Sequence, residues 1–151
     1  MEYVTKGKAK ELEAELLVLK TVKRSEIAEA LEFAKSLGDL SENAEYSQAR
    51  EAQAQVEERV ARIEHILRNA KIVTKHHANI AEVGATVHVV KSGTRTAQVY
   101  MIVGAEEADT ADGKISLHSP LGSALLGKAA GDTAIMTTPK GEIKYTIKAI
   151  E

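Results

Sequence analysis

Two charged runs flank a single glycine, Gly38, and each carries a narrow apolar stripe. Leu12, Leu16 and Leu19 recur at +4 and +3, and Ile27, Leu31 and Ala34 repeat that spacing. After Gly38 the same rhythm returns as Ala49, Ala52, Val56, Val60, Ile63, Leu67 and Ala70. Stripes this narrow on charged helices are the pattern of a coiled-coil seam rather than of a broad globular face. Each run is roughly 30 residues, so at ~1.5 Å per residue either helix reaches ~45 Å. Similar lengths on both sides of one glycine imply an antiparallel hairpin.

The stripe ends where the composition changes. Residues 1 to 75 hold 13 basic and 14 acidic side chains, leaving 7 and 8 for residues 76 to 151. Glycine and proline move the other way: only Gly7 and Gly38 lie in the first half, while eight of the 10 glycines and both prolines lie in the second. Charge without breakers favours long solvated helices, and frequent breakers mark turns between short elements. The expectation is a two-domain α+β chain, with a helical finger over residues 1–75, its tip at 38–43, a linker near Thr74 to Asn79, and a β-rich domain over residues 80–151.

In that second part, Val83 to Val90 and Ala97 to Val103 read as strands of a hairpin around Ser92-Gly93. The loop Gly104 to Gly113 precedes a short strand, Lys114 to Leu117. Ser119 as N-cap, Pro120 as first helical residue and Gly127 as stop outline one short helix. Thr133 to Thr138 and Ile143 to Ile150 flank a Pro139-Lys140-Gly141 turn. The sum is a small, mainly antiparallel sheet with one helix.

Several function classes are excluded at this point. A formal net charge of -2 rules out holding nucleic acid by bulk electrostatics. Zero cysteines remove a disulfide scaffold, a thiolate zinc site and a thiol nucleophile, and fit a reducing cytoplasm. No apolar run approaches membrane-spanning length and the first residues have no apolar core of a signal peptide, so a soluble, unexported, cytoplasmic protein is expected. The adjacent His76 and His77 have no helical or zinc-type spacing to other ligands, and His65, His88 and His118 are scattered. The one phenylalanine, Phe33, lies in the finger, so an aromatic-walled pocket is not expected in the β-rich part.

The tip is where chemistry concentrates. Gly38 suits the left-handed residue that ends the first helix, and Asp39-Leu40-Ser41-Glu42 reads as a capping box opening the second. The same two carboxylates, three apart on a helix, would face one way about 5–6 Å apart. Such a pair can share Mg²⁺, a hard cation that prefers oxygen ligands, although two carboxylates alone hold it weakly. Beside a metal held by another protein, the pair could fix a second ion and acidify its water, half of a two-metal phosphodiester hydrolysis site.

The ten residues Leu37-Gly38-Asp39-Leu40-Ser41-Glu42-Asn43-Ala44-Glu45-Tyr46 resemble the tip signature of the bacterial GreA/GreB transcript-cleavage factors. Val83-Gly84-Ala85-Thr86-Val87, Gly113 to Gly122 and Thr138 to Ile143 agree with that family in order and spacing, so the resemblance spans essentially the whole chain. It implies a transcription elongation factor whose coiled-coil finger enters the secondary channel of RNA polymerase while an FKBP-like domain holds the rim. Asp39 and Glu42 would then stabilise the second Mg²⁺ of the polymerase, which hydrolyses the 3′ end of a backtracked nascent RNA. On this reading the chain is not an enzyme alone, binds no cofactor tightly when isolated, works as a monomer, and meets DNA only through the transcription complex.

By the same resemblance Ser41, Asn43, Tyr46 and Arg50 support the tip or touch polymerase or RNA, and Ser119 and Pro120 match the rim-contact segment. The basic residue often found just after that pair is absent, since Gly122-Ser123 stand there. Lys20, Lys23, Arg24, Lys35, Arg50 and Arg59 could line part of an RNA path, but they alternate with glutamates as a solvated coiled-coil surface does. A small basic patch favours short cleavage products. Two other readings stay open: a channel-occupying regulator that pauses polymerase without cleavage, and a hairpin adaptor unconnected with transcription.

Overall fold

The computed structural model describes residues 1–74 and 77–151. Its elements run β1 (Tyr3–Thr5), α1 (Lys6–Val18), a π-helical turn (Leu19–Lys23), α2 (Arg24–Ser36), α3 (Ala44–Asn69), β2 (Lys71–Val73), β3 (Thr86–Lys91), β4 (Ala97–Val103), β5 (Lys114–Ser116), α4 (Pro120–Leu125), β6 (Thr133–Thr138) and β7 (Gly141–Ile150), with single 3-10 turns at Ala105–Glu107 and Thr110–Asp112. Two compact units result, Ala9–Asn69 and Met1–Lys8 with Ala70–Glu151.

The first unit is the expected helical hairpin. Its buried side chains are Ala9, Leu12, Ala34, Ala49, Val60, Ile63 and Ile66, a single stripe along otherwise exposed helices. Towards the end of α3 the seam takes Ile66 fully, while Leu67 is only half-buried. The first arm differs from a plain α-helix at Leu19–Lys23. Its two apolar triads, beginning at Leu12 and Ile27, are offset by one residue more than two heptads, whereas in the second arm Ala49, Val56, Ile63 and Ala70 recur at seven. A π turn takes up one extra residue per occurrence. The Arg24 N–H accordingly reaches back five residues to the Leu19 carbonyl, and Thr21 Oγ1 donates to the Leu17 carbonyl at 2.6 Å. The widening returns both triads to the same seam.

In the second unit, five strands in the order β5-β4-β3-β7-β6 form one sheet, antiparallel except for β4–β5. Period-two alternation buries Val87 and Val89 of β3, with Ile102, Tyr145, Ile147, Ala134 and Leu125 of α4 in the same core. This is the mainly antiparallel sheet with one short helix expected from the turn residues. Gly122 of α4 lies so close to β5 that a Cβ there would come within 2.0 Å of the Ser116 carbonyl oxygen.

The first eight residues cluster with this unit rather than with the finger, a division drawn differently from the composition boundary at residue 75. β1 pairs in parallel with β2, in the register Tyr3↔Lys71, Val4↔Ile72 and Thr5↔Val73. Gly104 admits the backbone of Tyr3, whose carbonyl oxygen would lie 1.7 Å from any Cβ at that position. The buried Glu107 carboxylate accepts Thr5 Oγ1 at 2.9 Å and stands 3.6 Å from Lys114 Nζ, so its charge is paired as a buried carboxylate requires. The same Thr5 hydroxyl accepts the Lys8 N–H at 3.2 Å and thereby caps α1.

Candidate functional site at the hairpin tip

Helix α2 ends at Ser36, Leu37 keeps helical dihedrals, and Gly38 turns the chain with φ +120°. L-residues rarely adopt that dihedral, which is why a glycine stands there. Asp39 then folds back on Ser41: its Oδ1 accepts the Ser41 N–H at 3.0 Å and the Ser41 hydroxyl at 2.9 Å. Both donors favour the charged form, and they hold the Asp39 carboxyl below its ordinary value. Glu42 is exposed.

The cap of α3 differs from the expected one. Asn43, not Asp39, is the N-cap: its Oδ1 accepts the Tyr46 N–H at 3.0 Å and its carbonyl accepts the Ser47 N–H at 3.1 Å. Asn43 Nδ2 also donates to the Ala34 carbonyl at 2.6 Å, tying the last turn of α2 to the first turn of α3. The amide accepts with its oxygen and donates with its nitrogen, and a carboxylate could serve the cap but not the tie. Asp39 and Glu42 therefore sit in the tip loop, outside regular helix, and the helical three-residue spacing does not describe them. An asparagine just before Ala44-Glu45-Tyr46 is as good a start signal as Asp39, and its two-sided amide was the clue the sequence held.

The structure brings Ser41 to Asp39, and Asn43 to Ala34 and Tyr46. Tyr46 is half-buried in the first turn of α3. Arg50, one turn further on, donates from Nη1 to Gln53 Oε1 at 2.7 Å. Ser119 and Pro120 belong to the other unit, where the Ser119 hydroxyl accepts the Gly122 N–H at 3.0 Å and donates to the Ser116 carbonyl at 2.6 Å. Pro120 follows as the first residue of α4. The contact of Gly122 with Ser116 leaves no room for a side chain there, so packing excludes a basic residue at Gly122 but not at the exposed Ser123.

Four basic side chains of the finger, Lys20, Lys23, Arg24 and Arg59, are held in ion pairs. Arg24 grips Glu57 with two bonds of 2.8 Å, Arg59 grips Glu15 at 2.7 and 2.9 Å, Lys20 pairs with Glu64, and Lys23 lies 3.4 Å from Glu26. The Glu57 hydrogen bonds push the Arg24 guanidinium up from its usual value, and Arg24 in turn lowers Glu57. Three of these pairs cross between the helix arms, so they fix the hairpin's register more than they offer a path to phosphate.

The donor set at the tip suits one side of a Mg²⁺ shell. Its groups are hard carboxylate oxygens, both residues are exposed, and both hydrogen bonds from Ser41 go to Oδ1 of Asp39, leaving Oδ2 outside the turn. Among the described residues no cluster of three or more His, Cys, Asp or Glu side chains is arranged to hold a metal. Of the adjacent histidines, His76 lies outside the described residues, and His77 Nδ1 stands 3.1 Å from a Glu82 carboxylate oxygen. No described helix is long and apolar enough to cross a membrane.

Comparison with known proteins covers both units. A family model described as "Transcription elongation factor, N-terminal" matches residues 2–72, and one described as "Transcription elongation factor, GreA/GreB, C-term" matches residues 75–151. The transcription elongation factor GreA of Bacillus licheniformis is 45% identical over 149 residues, spanning 97% of this chain and 94% of that protein. GreA of Clostridioides difficile is 47% identical over 141 residues, spanning 92% and 89%. Among solved structures, the GreA factor homolog 1 protein of Thermus thermophilus aligns over 99% of this chain and 98% of that one, with 26% identity and a TM-score of 0.43.

Proposed function

The chain belongs to the GreA/GreB family of transcription elongation factors, and from that premise we propose that it acts on RNA polymerase through the tip of its hairpin. The finger enters the secondary channel, the β-rich unit holds the channel rim through the Ser119-Pro120 segment, and the tip promotes hydrolysis of the 3′ end of a backtracked RNA. The chain is an accessory to the polymerase active site and works as one copy.

The observation that carries this reading is an exposed pair of carboxylates on a tip whose backbone is fixed by side chains. The Ser41 hydrogen bonds favour the ionised form of Asp39 and hold it to one side. Asn43 closes the loop on both helices, so Asp39 and Glu42 are presented by a rigid element rather than a frayed end. When bound, Mg²⁺ supplies Lewis-acid activation of water and charge neutralisation for phosphodiester hydrolysis. Asp39 and Glu42 would contribute negative charge and carboxylate oxygen donors to such an ion alongside ligands from the polymerase. A factor that only blocks the channel has no use for such a pair, and family membership removes the unrelated adaptor.

The test adds the protein and Mg²⁺ to stalled, backtracked complexes and follows release of short 3′ RNA fragments. Asp39→Ala and Glu42→Ala should each abolish release while binding to polymerase persists. Undiminished release by both variants would refute the tip mechanism, and slowed elongation without fragments would identify a blocking regulator.

A further inference from the structure

Phe33, the only phenylalanine of the chain, is 60% exposed. Leu37 is 54% exposed and Leu40, in the tip loop, 42%. Residues four apart on a helix share a face, and Leu37 retains helical dihedrals of φ -79° and ψ -10°, so Phe33 and Leu37 form an apolar ridge leading to the tip. The backbone beneath it is held at two successive carbonyls: Ser36 Oγ donates to that of Phe33 at 2.6 Å, and Asn43 Nδ2 to that of Ala34 at 2.6 Å. The seam position here is filled by Ala34, at 1% exposure, so the hairpin itself has no place for Phe33 and Leu37.

Charge selects the occupant. Residues 29–45 carry Glu29, Glu32, Asp39, Glu42 and Glu45 against Lys35 alone, a formal charge of -4. Such a field repels a nucleic-acid backbone, an anionic membrane and a second copy of the same tip. A protein surface with an apolar hollow bordered by basic side chains is the chemistry it attracts. We propose that Phe33 and Leu37, with Leu40, dock the tip on a surface of this kind within RNA polymerase, an inference that rests on the tip-directed reading above. They touch no reacting atom, and their contact raises the occupancy of the docked tip. Aromatic anchors in a desolvated hollow carry a large share of an interface's binding energy.

The experiment uses the full chain and measures affinity for RNA polymerase without a transcript, alongside fragment release from backtracked complexes. Phe33→Ala/Leu37→Ala should weaken binding about tenfold or more and raise the concentration for half-maximal release equally, with release at saturation retained. Phe33→Leu should restore most of the affinity. Both side chains are exposed in the free protein, so an unchanged melting temperature separates docking from folding. Unaltered affinity overturns the proposal. So does a defect confined to complexes that contain RNA, which would assign the ridge to a base, and so does a wild-type dimer that the double variant dissolves. Should wild type bind through the ridge yet release no fragments, docking stands and the cleavage reading falls.

Discussion

Asp39 and Ser41 form the smallest unit with a consequence for function. The two hydrogen bonds from Ser41 favour the carboxylate, and the direction of the pH effect follows from them. Because the folded-state pKa is depressed, the stability from these bonds is present above the ordinary carboxylate range and lost as pH falls through the depressed value. Ser41→Ala should raise the Asp39 pKa toward its usual value, observable by NMR titration of the carboxyl carbon, and should shift the acid limb of fragment release upward in pH. An unshifted titration would mean that Ser41 does not set the charge of Asp39. Asn43 tests the rest of the loop. Asn43→Ala should cost about 1 kcal/mol for the lost cap, and more for the lost tie to Ala34. Asn43→Asp keeps the cap and loses only the tie, so its melting temperature should fall between wild type and Asn43→Ala. The sequence marked Asp39 as a candidate but did not show its side-chain turn, because Asp39 and Asn43 are both good caps and only the span needed to reverse the chain decides between them.

At the scale of elements, the hairpin was legible because its seam repeats many times. The π turn was legible only as arithmetic, in the extra residue between the Leu12 and Ile27 triads. If the turn exists to absorb that residue, deleting Thr21 should leave a continuous α-helix with both triads still on the seam. Amide exchange and circular dichroism should then show a hairpin at least as helical as the parent, and loss of folding would contradict this account. The seam itself is the main source of stability, since the ion pairs along the arms are exposed and screened. Leu12→Ala or Ile63→Ala, each at 0% exposure, should cost about 2–5 kcal/mol in chemical denaturation. The pairing of β1 with β2 was not legible, because three-residue strands show no period and their parallel partners lie 68 residues apart, from Tyr3 to Lys71. What fixes them is the room left by Gly104 and the carboxylate of Glu107, two features that acquire meaning only in the folded unit.

For the whole molecule, the nearly neutral charge balance conceals an uneven one. The finger pairs Lys20, Lys23, Arg24 and Arg59 with its own glutamates, while residues 29–45 keep a formal charge of -4. The central claim is that the negative charge of two side chains, rather than occupancy of the channel, releases arrested complexes. It is tested most directly by the rate of 3′ fragment release at saturating factor, comparing wild type with the near-isosteric Asp39→Asn and Glu42→Gln. Each neutral variant should bind polymerase as wild type does and lose release by at least about 100-fold, the cost usual for removing a group that stabilises developing charge. Release at the wild-type rate by either variant, with equal occupancy of the polymerase, would contradict it.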